Sequence, residues 1–130
     1  MMISTNFENL SFHDASIESI ERKNDSIIVK LCGVFVSREH PWSQGKDWTF
    51  DVATLKLLGV SGEEAKFWDD TKSPKVHPDP DMPLDEIMHA KFENGVFHFD
   101  GFKETIPWYE WFVTADRFEL EMGVLNEKSS

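Results

Sequence analysis

The chain is poor in the residues that hold small secreted scaffolds together. It has one cysteine, Cys32, in 130 residues, so no disulfide can form within it. A lone thiol without a disulfide framework favours a reducing compartment. Basic residues are scarce as well: 13 Lys and Arg stand against 24 Asp and Glu, a formal net charge of −11. Such a chain repels phosphate backbones and anionic membrane surfaces, which argues against nucleic acid and membrane as partners. No apolar run approaches the roughly 18 residues of a spanning helix. The opening Met1 to Phe7 has no basic region followed by an apolar one, as a signal peptide would. The expectation is a cytoplasmic protein.

Chemical signatures are missing too. There is no Gly-rich phosphate loop and no Gly-x-Ser-x-Gly elbow. The histidines do not stand four apart on any plausible helix, and with no second cysteine there is no zinc motif. No metal or cofactor is expected, and nothing argues for an enzyme. What is present is apolar: 40% hydrophobic residues, with 11 Phe and 5 Trp, enough for one core in a single domain spanning 1–130.

Two stretches read as loops. Ser37 to Asp47 is interrupted by Pro41 and Gly45, and Asp69 to Pro83 carries Pro74, Pro78, Pro80 and Pro83. Between them the dominant period is two. Ile27, Val29, Leu31 and Phe35 fall on one face, and Trp48, Phe50 and Val52 alternate in the same way. Leu55 and Leu57 continue in the opposite phase, which predicts a bulge near Ala53-Thr54, with a short helix from Ala53 to Leu58 closed by Gly59 as the alternative. Phe118, Leu120 and Met122 alternate with Arg117, Glu119 and Glu121 as a half-buried strand. Phe7 to Ile20 fits either helical spacing or a strand, and the Ser and β-branched residues favour a strand from Asp14 onward.

Asn94-Gly95 is the sharpest local signal, since both residues tolerate the positive φ of a two-residue type I′ turn. That turn fixes a register. Phe92 faces Phe97, Ala90 faces Phe99 and Met88 faces Gly101 on a face suited to a core; Lys91 faces His98 and His89 faces Asp100 on the other. The whole predicts a mainly β (or α+β) domain: an antiparallel sheet curved or folded into a sandwich, or packed on a short helix, with at most one or two short helices.

Leu10-Ser11-Phe12-His13-Asp14-Ala15-Ser16-Ile17 resembles the Phe/Leu-His-Asp-Ala/Ser opening of a diffuse set of small bacterial proteins. Some of these are similar to immunity proteins of polymorphic toxin systems, in which the motif precedes a first strand and a β-rich domain follows. The segment Gly101-Phe102, Pro107-Trp108 and Glu110-Trp111 is similar in pattern to their aromatic and acidic C-terminal half. The resemblance implies a toxin-neutralising or undefined bacterial role and brings no active site with it.

Read physically, His13-Asp14 sets an imidazole beside a carboxylate, the elements of a general base. The competing reading gives Asp14 a turn and His13 a buried polar contact. His89, His98 and Asp100 invite a metal, but His98 and Asp100 only share a face two residues apart. His40-Pro41 and His77-Pro78 are loop dipeptides expected in solvent. Cys32, in an apolar strand, reads as a small buried hydrophobe and a poor nucleophile.

On a strand, Tyr109, Trp111 and Val113 share one face and Trp108, Glu110 and Phe112 the other. Exposed aromatics among Glu104, Glu110, Asp116 and Glu119 would suit a basic partner, with Trp108 or Trp111 as anchor and carboxylates around Asp69, Asp70, Asp79 and Asp81 completing one negative face. With both faces covered, as in a two-layer sandwich, the tryptophans would simply fill the core. The leading expectation is therefore an acidic domain that binds a basic, toxin-like protein. A small-ligand or carbohydrate-binding domain using Trp42, Trp48 or Trp68 comes next, and a hydrolase using His13 and Asp14 third.

Overall fold

The computed structural model describes residues 2–68, 75–76, 81–103, 106–122 and 125–127. Its strands, in chain order, begin with β1 (Met2–Ile3), β2 (Leu10–Ser11), β3 (Ala15–Lys23), β4 (Ser26–Cys32) and β5 (Val34–Val36). They continue with β6 (Trp48–Phe50), β7 (Ala53–Leu58), β8 (Gly62–Phe67), β9 (Lys75–Val76) and β10 (Glu86–Glu93). The last are β11 (Val96–Lys103), β12 (Ile106–Thr114), β13 (Arg117–Met122) and β14 (Leu125–Glu127). Every strand pairing is antiparallel. Among the described residues the helical segments are two 3-10 turns, Phe7–Asn9 and Pro41–Ser43.

Ten strands form one sheet in the order β1-β13-β7-β4-β3-β10-β11-β12-β8-β9, and four form a second in the order β14-β6-β5-β2. The large sheet folds over at its middle, because β3 and β10 pair only through Ser16–Glu86 and Ala15–Ile87. Its two halves then face each other. Phe97 on β11 meets Phe118 on β13 with ring centroids 6.1 Å apart, and Phe7 touches both, at 5.2 and 5.1 Å. A curved antiparallel sheet closed into a sandwich is thus the architecture, as the alternation predicts.

Strand β4 turns Ile27, Val29 and Leu31 inward and Cys32 outward. Cys32 is accordingly half-buried rather than buried, and its thiol donates to Glu18 Oε1 on β3 at 3.0 Å. That hydrogen bond, with burial and the Glu18 charge, pushes the thiol pKa up, so it remains a poor nucleophile. Phe35 does not continue the Ile27 face. Gly33 takes a left-handed φ of +90°, shifts the phase by one residue, and sends Val34 and Val36 inward instead.

A second phase change lies between Phe50 and Ala53. It is neither a bulge nor the start of a helix: the chain bends at Asp51–Val52 and passes from the small sheet to the large one. Val52 is exposed there, while β7 is hydrogen-bonded between β4 and β13 and buries Leu55 and Leu57.

The Asn94-Gly95 hairpin holds the expected pairs Phe92–Phe97, Ala90–Phe99, Lys91–His98 and His89–Asp100, with φ of +53° and +79° in the turn. Two details differ. Met88 is the extra residue of a β-bulge, so Gly101 pairs with Ile87. Phe92, at the tip, stacks on Phe97 at 4.1 Å but keeps 40% of its surface exposed.

The loop from Ser37 to Asp47 is closed by His40, which is 3% exposed rather than solvated. Its Nδ1 accepts from the Trp42 amide at 3.0 Å, so Nε2 carries the hydrogen and donates to the Thr5 carbonyl at 2.8 Å. Trp48 donates to the Ser43 carbonyl at 2.9 Å and packs against Trp42, which leans on Phe50. His77 and most of the Asp69 to Pro83 segment lie outside the described residues.

Candidate functional site

The outward face of β10, β11, β12 and β8 gathers the polar and aromatic side chains that the core does not use. Alternation sets two cross-strand rows. His89, Asp100, Glu110 and Lys66 are successive neighbours in one; Lys91, His98, Phe112 and Glu64 form the other. Beyond the first row, Trp68 follows β8 and exchanges backbone hydrogen bonds with Trp108. Trp108 stacks on Phe102 at 5.5 Å and is 43% exposed. Between them opens a groove of about 490 Å³, lined by Trp68, His89, Asp100, Trp108 and Glu110.

Hydrogen bonds fix the groove floor. Glu110 receives the Trp68 indole N–H on Oε1, and His98 Nε2–H donates to its Oε2 at 2.8 Å. The His98 ring lies flat on Phe112, 4.3 Å between centroids and 4° between planes. His89 Nδ1–H donates to Asp100 Oδ1 at 3.0 Å. The Lys66 ammonium sits 5.2 Å from the Phe112 ring centre and 3.7 Å from Glu64 Oε1, turned away from the groove. The arrangement offers two carboxylates on one face between indole walls. Among the described residues no group of three or more His, Cys, Asp or Glu side chains is placed to hold a metal ion.

The expected partner-binding residues divide. Trp108 and Glu110 stand at the groove. Trp111 does not: it is fully buried, tilted against Phe99 at 5.3 Å, and donates its indole N–H to Glu63 Oε2 at 2.9 Å. The expected division of the strand into two faces holds, and it makes Trp111 the core side. Glu119 is Lys56's neighbour on the outward face of the opposite layer, so it and Glu110 point to opposite sides of the sandwich. Asp116 is exposed at the turn between β12 and β13. Glu104, Asp69, Asp70 and Asp79 lie outside the described residues. Asp81 is exposed, and its carbonyl accepts from Arg22 Nη1 at 3.0 Å. The single negative face expected from these carboxylates is therefore divided by the fold, because successive strands enter different layers.

Of the tryptophans considered for a small ligand, Trp42 and Trp48 pack the His40 loop onto the core, and Trp68 alone reaches the groove. His13 and Asp14 do not line it. His13 is exposed, with Nδ1–H donating to the Met88 carbonyl at 3.0 Å and Nε2 standing 3.5 Å from Asp14 Oδ2. Asp14 is exposed with φ +64°, and its amide donates to the Ile87 carbonyl at 2.8 Å. Compared with family models, curated proteins and solved structures, the chain matches none.

Proposed function

We propose that this chain is an acidic binding domain that engages a basic protein partner through the groove between Trp68 and Trp108. The observation that carries the reading is Trp108, a large aromatic 43% exposed beside two adjacent carboxylates. Aromatic anchors of this kind dominate interface energies, and the net charge of −11 would speed encounter with a basic surface. The Phe12-His13-Asp14-Ala15 resemblance gives the concrete form: an immunity-type protein that neutralises a toxin. The first partner to try is the product of a gene directly upstream, where such a toxin would be encoded.

The test is capture from the source cell at low and moderate salt, with Trp108→Ala and Glu119→Ala compared with the unaltered chain. A basic protein should be retained at low salt and weakened as salt rises. Trp108→Ala should lower its affinity about thirtyfold, the equivalent of about 2 kcal/mol. Glu119→Ala, on the opposite face, should leave it unchanged. Capture of no basic protein, or equal loss in both variants, overturns the reading. A carbohydrate-binding role is the second reading. It is favoured by the same two indoles framing His89, Asp100 and Glu110, and it would show salt-insensitive binding with no protein partner.

A further inference from the structure

We propose that the groove receives the guanidinium of an arginine side chain presented by the partner, an inference that rests on the basic-partner reading above. Asp100 and Glu110 are directly opposed on neighbouring strands and face the same way. Like charges in that relation repel. Glu110 has both oxygens engaged by Trp68 and His98, and Asp100 Oδ1 is engaged by His89. Among the described residues no donor reaches Asp100 Oδ2. Lys66, the strand neighbour that could neutralise the pair, is turned to Glu64 and the Phe112 ring. The groove thus holds an under-compensated negative pair with an open acceptor.

The walls select among cations. A lysine ammonium is a compact, strongly hydrated charge, whereas a guanidinium is planar, more weakly hydrated, and stacks on aromatic faces while its edge donates hydrogen bonds. Lying against the exposed face of Trp108, it would present its N–H groups to Asp100 Oδ2 and the outer lone pairs of Glu110. A groove of about 490 Å³ has room for the side chain and its adjoining backbone. A neutral pyranose would use the indoles but leave the carboxylate repulsion in place.

The test is a titration of the full chain, following the indole N–H resonances of Trp68 and Trp108 by two-dimensional NMR. The probes are N-acetyl-arginine amide, N-acetyl-lysine amide and methyl glucoside. The arginine derivative should shift both resonances and bind about tenfold tighter than the lysine derivative. Asp100→Asn should weaken it by about tenfold as well. Trp108→Phe, which keeps a ring at the wall, should retain part of the binding that Trp108→Ala loses. Equal response to lysine and arginine, response to the glucoside alone, or no response at millimolar arginine derivative overturns the proposal. If a basic protein is captured while arginine fails here, this inference falls and the partner reading stands. If arginine binds and no basic protein is captured, the partner reading falls.

Discussion

Replacing Glu63 by glutamine tests the tie between the two layers. Glu63 on β8 shares the face of its neighbour Val113, and Arg22 on β3 that of its neighbour Ile27, each keeping part of its surface in solvent. The carboxylate accepts from Arg22 Nε at 2.9 Å, from Arg22 Nη2 at 2.6 Å and from Trp111 Nε1 at 2.9 Å. Glutamine keeps one acceptor oxygen but loses the charge and turns an N–H toward the guanidinium. Hydrogen bonds to charged groups contribute about 1.5 to 3 kcal/mol each when shielded, and far less in full solvent. With the side chains 32% and 25% exposed, a net loss of about 2 kcal/mol is expected, measured by urea unfolding at neutral pH. A cycle with Arg22→Met should return a coupling of about 1 kcal/mol. The pH dependence follows from the sign of the shift. Burial pushes the Glu63 carboxyl up, but the Arg22 and Trp111 hydrogen bonds and the Arg22 charge outweigh it and hold it below its ordinary value of 4.5. The stabilisation is then complete above the ordinary carboxylate range and is lost as pH falls through the depressed folded value. The difference between unaltered chain and Glu63→Gln should be constant from neutrality to about pH 5 and shrink below it. A Glu63→Gln cost under about 0.5 kcal/mol, or a difference that grows on acidification, refutes the tie.

Two further changes read the backbone rather than the charges. A Cβ added at Gly101 would stand 2.0 Å from the Glu86 carbonyl oxygen and 3.0 Å from the Met88 nitrogen, so Gly101→Ala should cost about 3 kcal/mol in a urea midpoint analysis, and a cost under about 1 kcal/mol would contradict the close approach. Asp14 occupies left-handed backbone, so Asp14→Ala should cost about 1 kcal/mol, while Asp14→Gly and Asp14→Asn should be close to neutral by thermal unfolding; glycine costing more than alanine would assign the effect to the side chain instead.

What could be read along the chain was local. Asn94-Gly95 encodes its own turn, and a two-residue turn dictates the register next to it, so His89–Asp100 and Lys91–His98 follow without knowledge of the rest. The alternation of Trp108 to Val113 likewise states which side chains share a face. It does not state which face is inside, and Trp111 took the core because β8 and β11 flank β12 with Ala65 and Phe99 as its neighbours. The phase changes at Gly33 and Asp51–Val52 are breaks in period that a bulge, a helix or a change of sheet would each produce. Only the pairing partners distinguish them. The groove was out of reach for the same reason: Trp68 and Glu110 lie 42 residues apart, and the pairing of β8 with β12 that joins them leaves no mark in either segment alone.

The Phe12-His13-Asp14-Ala15 motif and the groove turn out to belong to one construction. Phe12 is buried against Phe7 and Phe99, and Ala15 is fully buried where β3 meets β10 through just two residue pairs. A larger residue than alanine would part the layers at that joint. Directly opposite, β10 has its bulge. In a regular strand Ile87 and His89, two residues apart, would point to the same side; with Met88 bulged out of the ladder, Ile87 enters the core and His89 turns out to meet Asp100. A bulge leaves backbone groups without ladder partners, and the motif supplies them: His13 Nδ1–H reaches the Met88 carbonyl and the Asp14 amide reaches the Ile87 carbonyl. The left-handed turn at Asp14 is what brings both donors to bear. The His13 imidazole and the Asp14 amide, each on a β10 carbonyl, thus hold the irregularity that sets His89 opposite Asp100 at the groove.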